Sequence, residues 1–177
     1  MVPTQSNPQM KTRLLIFSLV LVLIQIMFAS HMAIKSAYPN FMLIATCLWA
    51  FTYGSKSGTL AGFIFGLIYD SLALTSFGVM TLILTVVGYL AGFQGRSPLV
   101  NDLRQSYFLL AIFALASEFV FGVFILAFGF ETNILYSLFA RMIASGLYTT
   151  LFGIPTFYLA HRFIAGQNSR SIGTRFK

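Results

Sequence analysis

Residues 58–93 read GTLAGFIFGLIYDSLALTSFGVMTLILTVVGYLAGF, and the stretch carries a single charge, Asp70. As one α-helix it would be about 54 Å long, far beyond the roughly 30 Å hydrocarbon core of a bilayer. It must therefore fold back. Its polar and turn-forming residues gather at Asp70, Ser71, Thr75, Ser76 and Gly78, so the reversal is expected near Thr75 to Gly78, between two membrane helices. On the first of these, Gly58, Gly62, Gly66 and Asp70 recur every fourth residue. Positions four apart stack on one helix face, so this face is a smooth groove that ends in a carboxylate. Small residues of this kind let a neighbouring helix approach closely in lipid, where the hydrophobic effect does not drive helix against helix.

Composition points the same way. Of 177 residues, 58% are hydrophobic and only 8% charged, against about a quarter charged in soluble domains; the mean hydropathy is +0.84. The chain reads as an all-α integral membrane protein, because backbone polar groups in lipid must be satisfied within each segment. It lacks the two-residue alternation of a membrane β-barrel. The lone Cys47 lies in an apolar run and supports neither a disulfide nor a metal site.

Working outward, residues 1–12 read as a polar tail. Lys11 and Arg13 precede an apolar run interrupted by Gln25, Ser30 and His31; it is too long for a signal-peptide core of about 7–15 residues, so a retained first helix is expected over 14–34. A second, short run gives a helix over 39–54, and the central pair falls at 57–75 and 78–93. A hydrophilic link leads to a helix over 107–130 that contains Glu118. The last helix, over 134–164, contains Arg141, and its Gly153-Ile154-Pro155 step is expected to kink it. Residues 13–165 thus form one six-helix transmembrane domain, followed by a basic tail at 166–177.

Six spans put both termini on one side. Lys11, Arg13, Lys56, Arg96, Arg104, Arg162, Arg170, Arg175 and Lys177 then share that side, against Lys35 and Arg141 on or near the other. This asymmetry predicts an N-in, C-in orientation. It also accounts for the net charge of +7 as topology and attraction to an anionic inner leaflet rather than nucleic-acid binding.

The chain offers little for catalysis. An aspartyl intramembrane protease needs two aspartates, and only Asp70 lies in an apolar segment. Both histidines sit near helix ends, and neither metal-ligand spacing nor a phosphate- or dinucleotide-binding fingerprint occurs. No cofactor is expected. Asp70, Glu118 and Arg141 are costly in a membrane and should face the bundle interior, a partner or water. Each reads either as a functional group or as a polar lock between helices. Asp70 and Arg141 fall at matching depths, so they either pair near the outer end or Arg141 snorkels to the interface. The glycine face packs an internal helix, the fourth or sixth, or receives a partner's helix; Gly88 and Gly92 repeat its spacing and are candidates for the other half of the contact.

The pattern Gly62-x-x-x-Gly66-Leu67-x-x-Asp70, then Gly78 and a long apolar helix closing with Gly88-Tyr89-Leu90, resembles the MreD family of rod shape-determining proteins over about 30 positions. Ser71 and Phe77 depart from that family's turn, where a bulkier apolar residue and often a proline are usual. The resemblance implies a non-enzymatic scaffold in the bacterial inner membrane that helps organise peptidoglycan synthesis and cell shape. MreC would be its first partner; the MreB filament, RodA and its transpeptidase would be members of the same complex, with membrane lipid around it and a homo-oligomer as a further option. It also implies a fold similar to the substrate-binding subunits of energy-coupling-factor transporters. A vitamin-type binding subunit is therefore the alternative reading. Against it, the first helix begins LLIFSLVLVL, without the Ala-x-x-x-Ala docking face of those subunits.

Overall fold

The computed structural model of the chain describes residues 8–28, 39–72, 78–94, 103–128 and 142–165. Among these, all regular structure is helical: α1 Pro8–Phe28, α2 Phe41–Tyr53, α3 Ser55–Leu72, α4 Val79–Phe93, α5 Leu103–Ala127 and α6 Met142–Ala165. Among the described residues, three segments are long and apolar enough to cross a membrane by length and composition, Pro8–Met27, Arg104–Phe124 and Met142–Arg162; Phe41–Tyr53 and Val79–Phe93 are shorter apolar helices.

Several helices outrun the apolar runs that announce them. The first begins at Pro8, ahead of Leu14, and α5 begins at Leu103, ahead of Tyr107. Apolar runs mark lipid thickness, whereas a helix continues wherever its backbone bonds do, and proline suits the first helical turn. The proposed parts at 29–34, 73–75 and 134–141, together with the Thr75–Phe77 turn, lie outside the described residues.

The shortest helix is the hub. From Phe41 to Phe51 every residue of α2 except the partly exposed Trp49 is buried, and α2 touches each of the other helices. A helix apolar on all sides has no face to offer water and takes the centre. Around it, α1, α3, α4, α5 and α6 each turn an apolar face outward, among them Leu19, Leu60, Leu82, Phe119 and Leu151.

Side-chain pairings fix the directions. Against α1, α2 runs antiparallel: Gln25 lies by Phe41, Ser18 by Trp49, and Lys11 by Tyr53. At Gly54 the chain turns at once into α3; its φ of 83° is left-handed backbone that favours glycine. Against α5, α6 is antiparallel, with Met142 beside Gly122, Leu115 beside Gly146 and Leu110 beside Gly153. It runs parallel to α2, through Phe41 on Phe152 and Phe51 on Phe157. The odd-numbered helices α1 and α3 therefore begin at one end of the bundle with α5, while α2, α4 and α6 begin at the other.

Neighbours cap the starts of both short helices, and that of α2 is buried from its cap residue onward. Asn40 is 1% exposed and its Oδ1 accepts from the Leu43 amide at 3.0 Å. The Gln25 side chain on α1 accepts from the Phe41 amide at 2.8 Å, and Thr149 on α6 accepts from the Asn40 amide at 2.9 Å. A helix end without water needs such partners, since an unsatisfied buried amide costs about 1–3 kcal/mol. Lower in the core, Trp49 Nε1 donates to Ser18 Oγ at 2.8 Å, tying α2 to α1.

Candidate functional site

The N-terminus of α4 follows Gly78, which has a φ of 93° and no side chain with which to cap. Asp70, near the end of α3, supplies the missing group. Its Oδ2 accepts from the Gly78 amide at 3.0 Å, the Thr81 amide at 2.8 Å and the Thr81 hydroxyl at 2.6 Å, while Oδ1 accepts from the Met80 amide at 3.2 Å. The carboxylate is 2% exposed. Its charge thus sits against the positive end of a helix dipole and the orphan amides of a first turn, the environment that best supports an anion in a dry interior.

Below this cap, α3 and α4 meet backbone to backbone. A Cβ built on Gly58 would strike the carbonyl of Gly88, one on Gly62 the carbonyl of Leu84, and one on Gly66 the backbone of Thr81. In return a Cβ on Gly88 would strike the Gly58 carbonyl, and one on Gly92 the Gly54–Ser55 peptide. The five glycines form one antiparallel seam closed at its far end by Asp70. The glycine face of α3 meets α4 of the same chain, not α6.

Outside the seam, α3 and α4 leave a cleft of about 340 Å³. Phe63, Leu67, Leu82 and Val86 flank it and all four are exposed; Asp70 and Thr81 lie at its floor. The floor is polar but its hydrogen bonds are made internally, so the cleft presents an almost wholly apolar surface.

The other sequence candidates lie elsewhere. Glu118 is half-buried on α5, and Arg141 lies outside the described residues. α6 continues through Pro155; Gly153 packs on the Leu110 side chain, and the Tyr107 hydroxyl donates to the Ile154 carbonyl at 3.3 Å. Among the described residues no three His, Cys, Asp or Glu gather as metal ligands would. The sequence reading missed Gln25, Asn40 and Thr149 as capping groups, and Thr81 as a donor to the Asp70 cap. Asn40 carried a signal, an Asn between a proline and an apolar run, which is a helix-start pattern. Gln25, Thr149 and Thr81 carried none, because the group each one bonds lies on or before another helix.

Neither the curated proteins nor the solved structures contain a significant match, so the likeness to transporter subunits rests on the family resemblance alone. The family model of the rod shape-determining protein MreD does match, over residues 9–163. That range takes in the capped and glycine-seamed α3–α4 pair and nearly the whole bundle, and by it the chain belongs to the MreD family.

Proposed function

We propose that this chain is a non-enzymatic scaffold of the bacterial cell-elongation complex, set in the inner membrane with six spans and both termini in the cytoplasm, and that it binds MreC. The family match over residues 9–163 carries the reading. Two features of the bundle support it. The described cations lie at one end, as expected for a cytoplasmic face. The ends of α2 and α4 are capped from within, which lets helices of about 20–22 Å stand inside a thicker bilayer. In this reading the MreB filament, RodA and its transpeptidase join the same assembly, and the rigid α3–α4 pair is the framework on which partner contacts are aligned.

Co-purification from native membranes in mild detergent tests it. MreC should co-elute at a fixed ratio, and loss of the protein should turn rod-shaped cells round, with restoration by the wild-type chain. Recovery of an energising ATPase pair in place of MreC, with normal cell shape on depletion, would overturn the proposal in favour of a transporter subunit.

A further inference from the structure

Five cations stand on the described helices: Lys11 and Arg13 on α1, Lys56 on α3, Arg104 on α5 and Arg162 on α6, all exposed. The helix directions bring them to one end of the bundle, at the starts of α1, α3 and α5 and the last turn of α6. Both carboxylates among the described residues lie away from this end. Asp70 caps the opposite end of α4, and Glu118 is about four turns into α5.

Four of the cations share a register. Lys11 precedes Leu15 by four residues, Lys56 precedes Leu60, Arg104 precedes Phe108, and Arg162 follows Tyr158 by the same step. Each apolar member faces outward, at 57%, 62%, 67% and 56% exposure. Residues four apart lie over one another on a helix. Each cation therefore stands one turn above a large side chain turned to the lipid, always on the side toward the bundle end. Such a pair matches a phospholipid, with a phosphate at the cation and an acyl chain along the residue beneath. A water-soluble acidic partner would instead need polar surface beside the cations, and these neighbours are apolar. Aromatic residues mark the same level. The Lys11 ammonium lies 5.9 Å from the centre of the Tyr53 ring, and Tyr89 stacks on Phe93 at 6.4 Å; tyrosine is enriched at the depth of lipid headgroups.

We propose that this rim is a binding surface for anionic phospholipid, with Lys11–Leu15, Lys56–Leu60, Arg104–Phe108 and Tyr158–Arg162 as four outward-facing headgroup-and-chain sites. Charge selects the anionic headgroup, and the apolar member selects a lipid over a free phosphate.

Native mass spectrometry of the purified full-length protein tests this, with phosphatidylglycerol and phosphatidylcholine of identical acyl chains titrated in parallel. The wild-type chain should retain several phosphatidylglycerol molecules at concentrations where phosphatidylcholine is lost. Lys56→Gln should weaken one of these binding events by about fivefold, Lys56→Arg should restore it, and Leu60→Ser should weaken it for both lipids. Because cations also orient a membrane chain, the wild-type comparison stands by itself as a test that needs no variant. Equal retention of the two lipids overturns the proposal. So does displacement of phosphatidylglycerol by inorganic phosphate, which would mean a free-anion site, or by a polyglutamate peptide, which would mean a surface for an acidic protein.

Discussion

The Oδ2 atom of Asp70 on α3 lies 2.6 Å from the hydroxyl oxygen of Thr81 on α4 and accepts the Thr81 amide at 2.8 Å. One residue thus meets the carboxylate twice, through backbone and side chain, and locks the register of the two helices where the glycine seam ends. Asp70 acts as an N-cap supplied from another helix, where Gly78 has none to give.

This arrangement ranks three substitutions. Asp70→Ala leaves the Met80 amide and the Thr81 amide and hydroxyl without their acceptor in a buried first turn, and gives the exposed Gly78 amide to water; at about 1–3 kcal/mol for each buried unsatisfied group, the loss should be on the order of 4 kcal/mol. Asp70→Asn keeps one oxygen for Gly78 and Thr81 but turns an amide toward the Met80 amide, donor against donor, and should fall between Ala and wild type. Thr81→Val removes only the hydroxyl contact, about 1.5–3 kcal/mol for a bond to a charged group. Melting of the purified protein in detergent checks the order. An Asp70→Asn variant as stable as wild type would mean that the carboxylate's charge contributes nothing there.

The glycines divide by what they touch. At Gly58, Gly62, Gly66, Gly88 and Gly92 an added methyl meets backbone, which cannot step aside. At Gly122 it meets the end of the Met142 side chain, and at Gly153 the end of the Leu110 side chain, which can rotate. Gly62→Ala should therefore cost at least the 1–3 kcal/mol typical of overpacking and Gly62→Leu more, with rounded cells on complementation. Gly122→Ala should be near neutral. Equal melting temperatures for Gly62→Ala and Gly122→Ala would remove the backbone seam from the argument.

The helices were legible because lipid demands apolar runs, and the glycine face because its four-residue period needs no tertiary information. What α3 would meet was left open between the fourth helix, the sixth and a partner's helix, with Gly88 and Gly92 as candidates on the fourth, since small-residue spacing states that something comes close without saying what. The central place of α2 was not read at all. Its uniform apolarity was visible, yet a short apolar run does not say which helices surround it, and only the packing of the longer helices shows that. Asp70 stood out as a charge in an apolar stretch, but its partners are mostly backbone amides, which no side-chain pattern announces. The depth match with Arg141 left pairing or snorkelling open, and Arg141 lies outside the described residues.

The cap on α2 can be tested apart from α4. Gln25 gives its side-chain oxygen to the Phe41 amide and is 5% exposed. Gln25→Leu keeps the volume and strands that amide, so it should destabilise by about 1–3 kcal/mol, while Gln25→Glu, which retains an acceptor beside a helix N-terminus, should cost less. If Leu proves the milder change, the amide has another partner and the cap is redundant.

Cys47 reports on both the hub and the orientation of the chain. It is fully buried on α2, so a membrane-permeant maleimide should leave it unlabelled in native membranes and modify it once the protein is denatured in sodium dodecyl sulfate. Rapid labelling without denaturant would place α2 at the surface and undo the central-helix architecture. Because Cys47 is silent when folded, single cysteines introduced at positions 35, 76, 101 and 133 can be read against it without removing it. With six spans and N-in, C-in orientation, an impermeant maleimide added to intact spheroplasts should label positions 35, 76 and 133, and position 101 only after the membrane is opened. Position 76 decides most. It follows α3, which starts at the cation-bearing end, and precedes α4, whose capped N-terminus lies at the opposite end, so external labelling requires both helices to traverse the bilayer. Labelling of 101 from outside together with protection of 76 would mean that α2 does not span, and the proposed orientation of everything after it would invert.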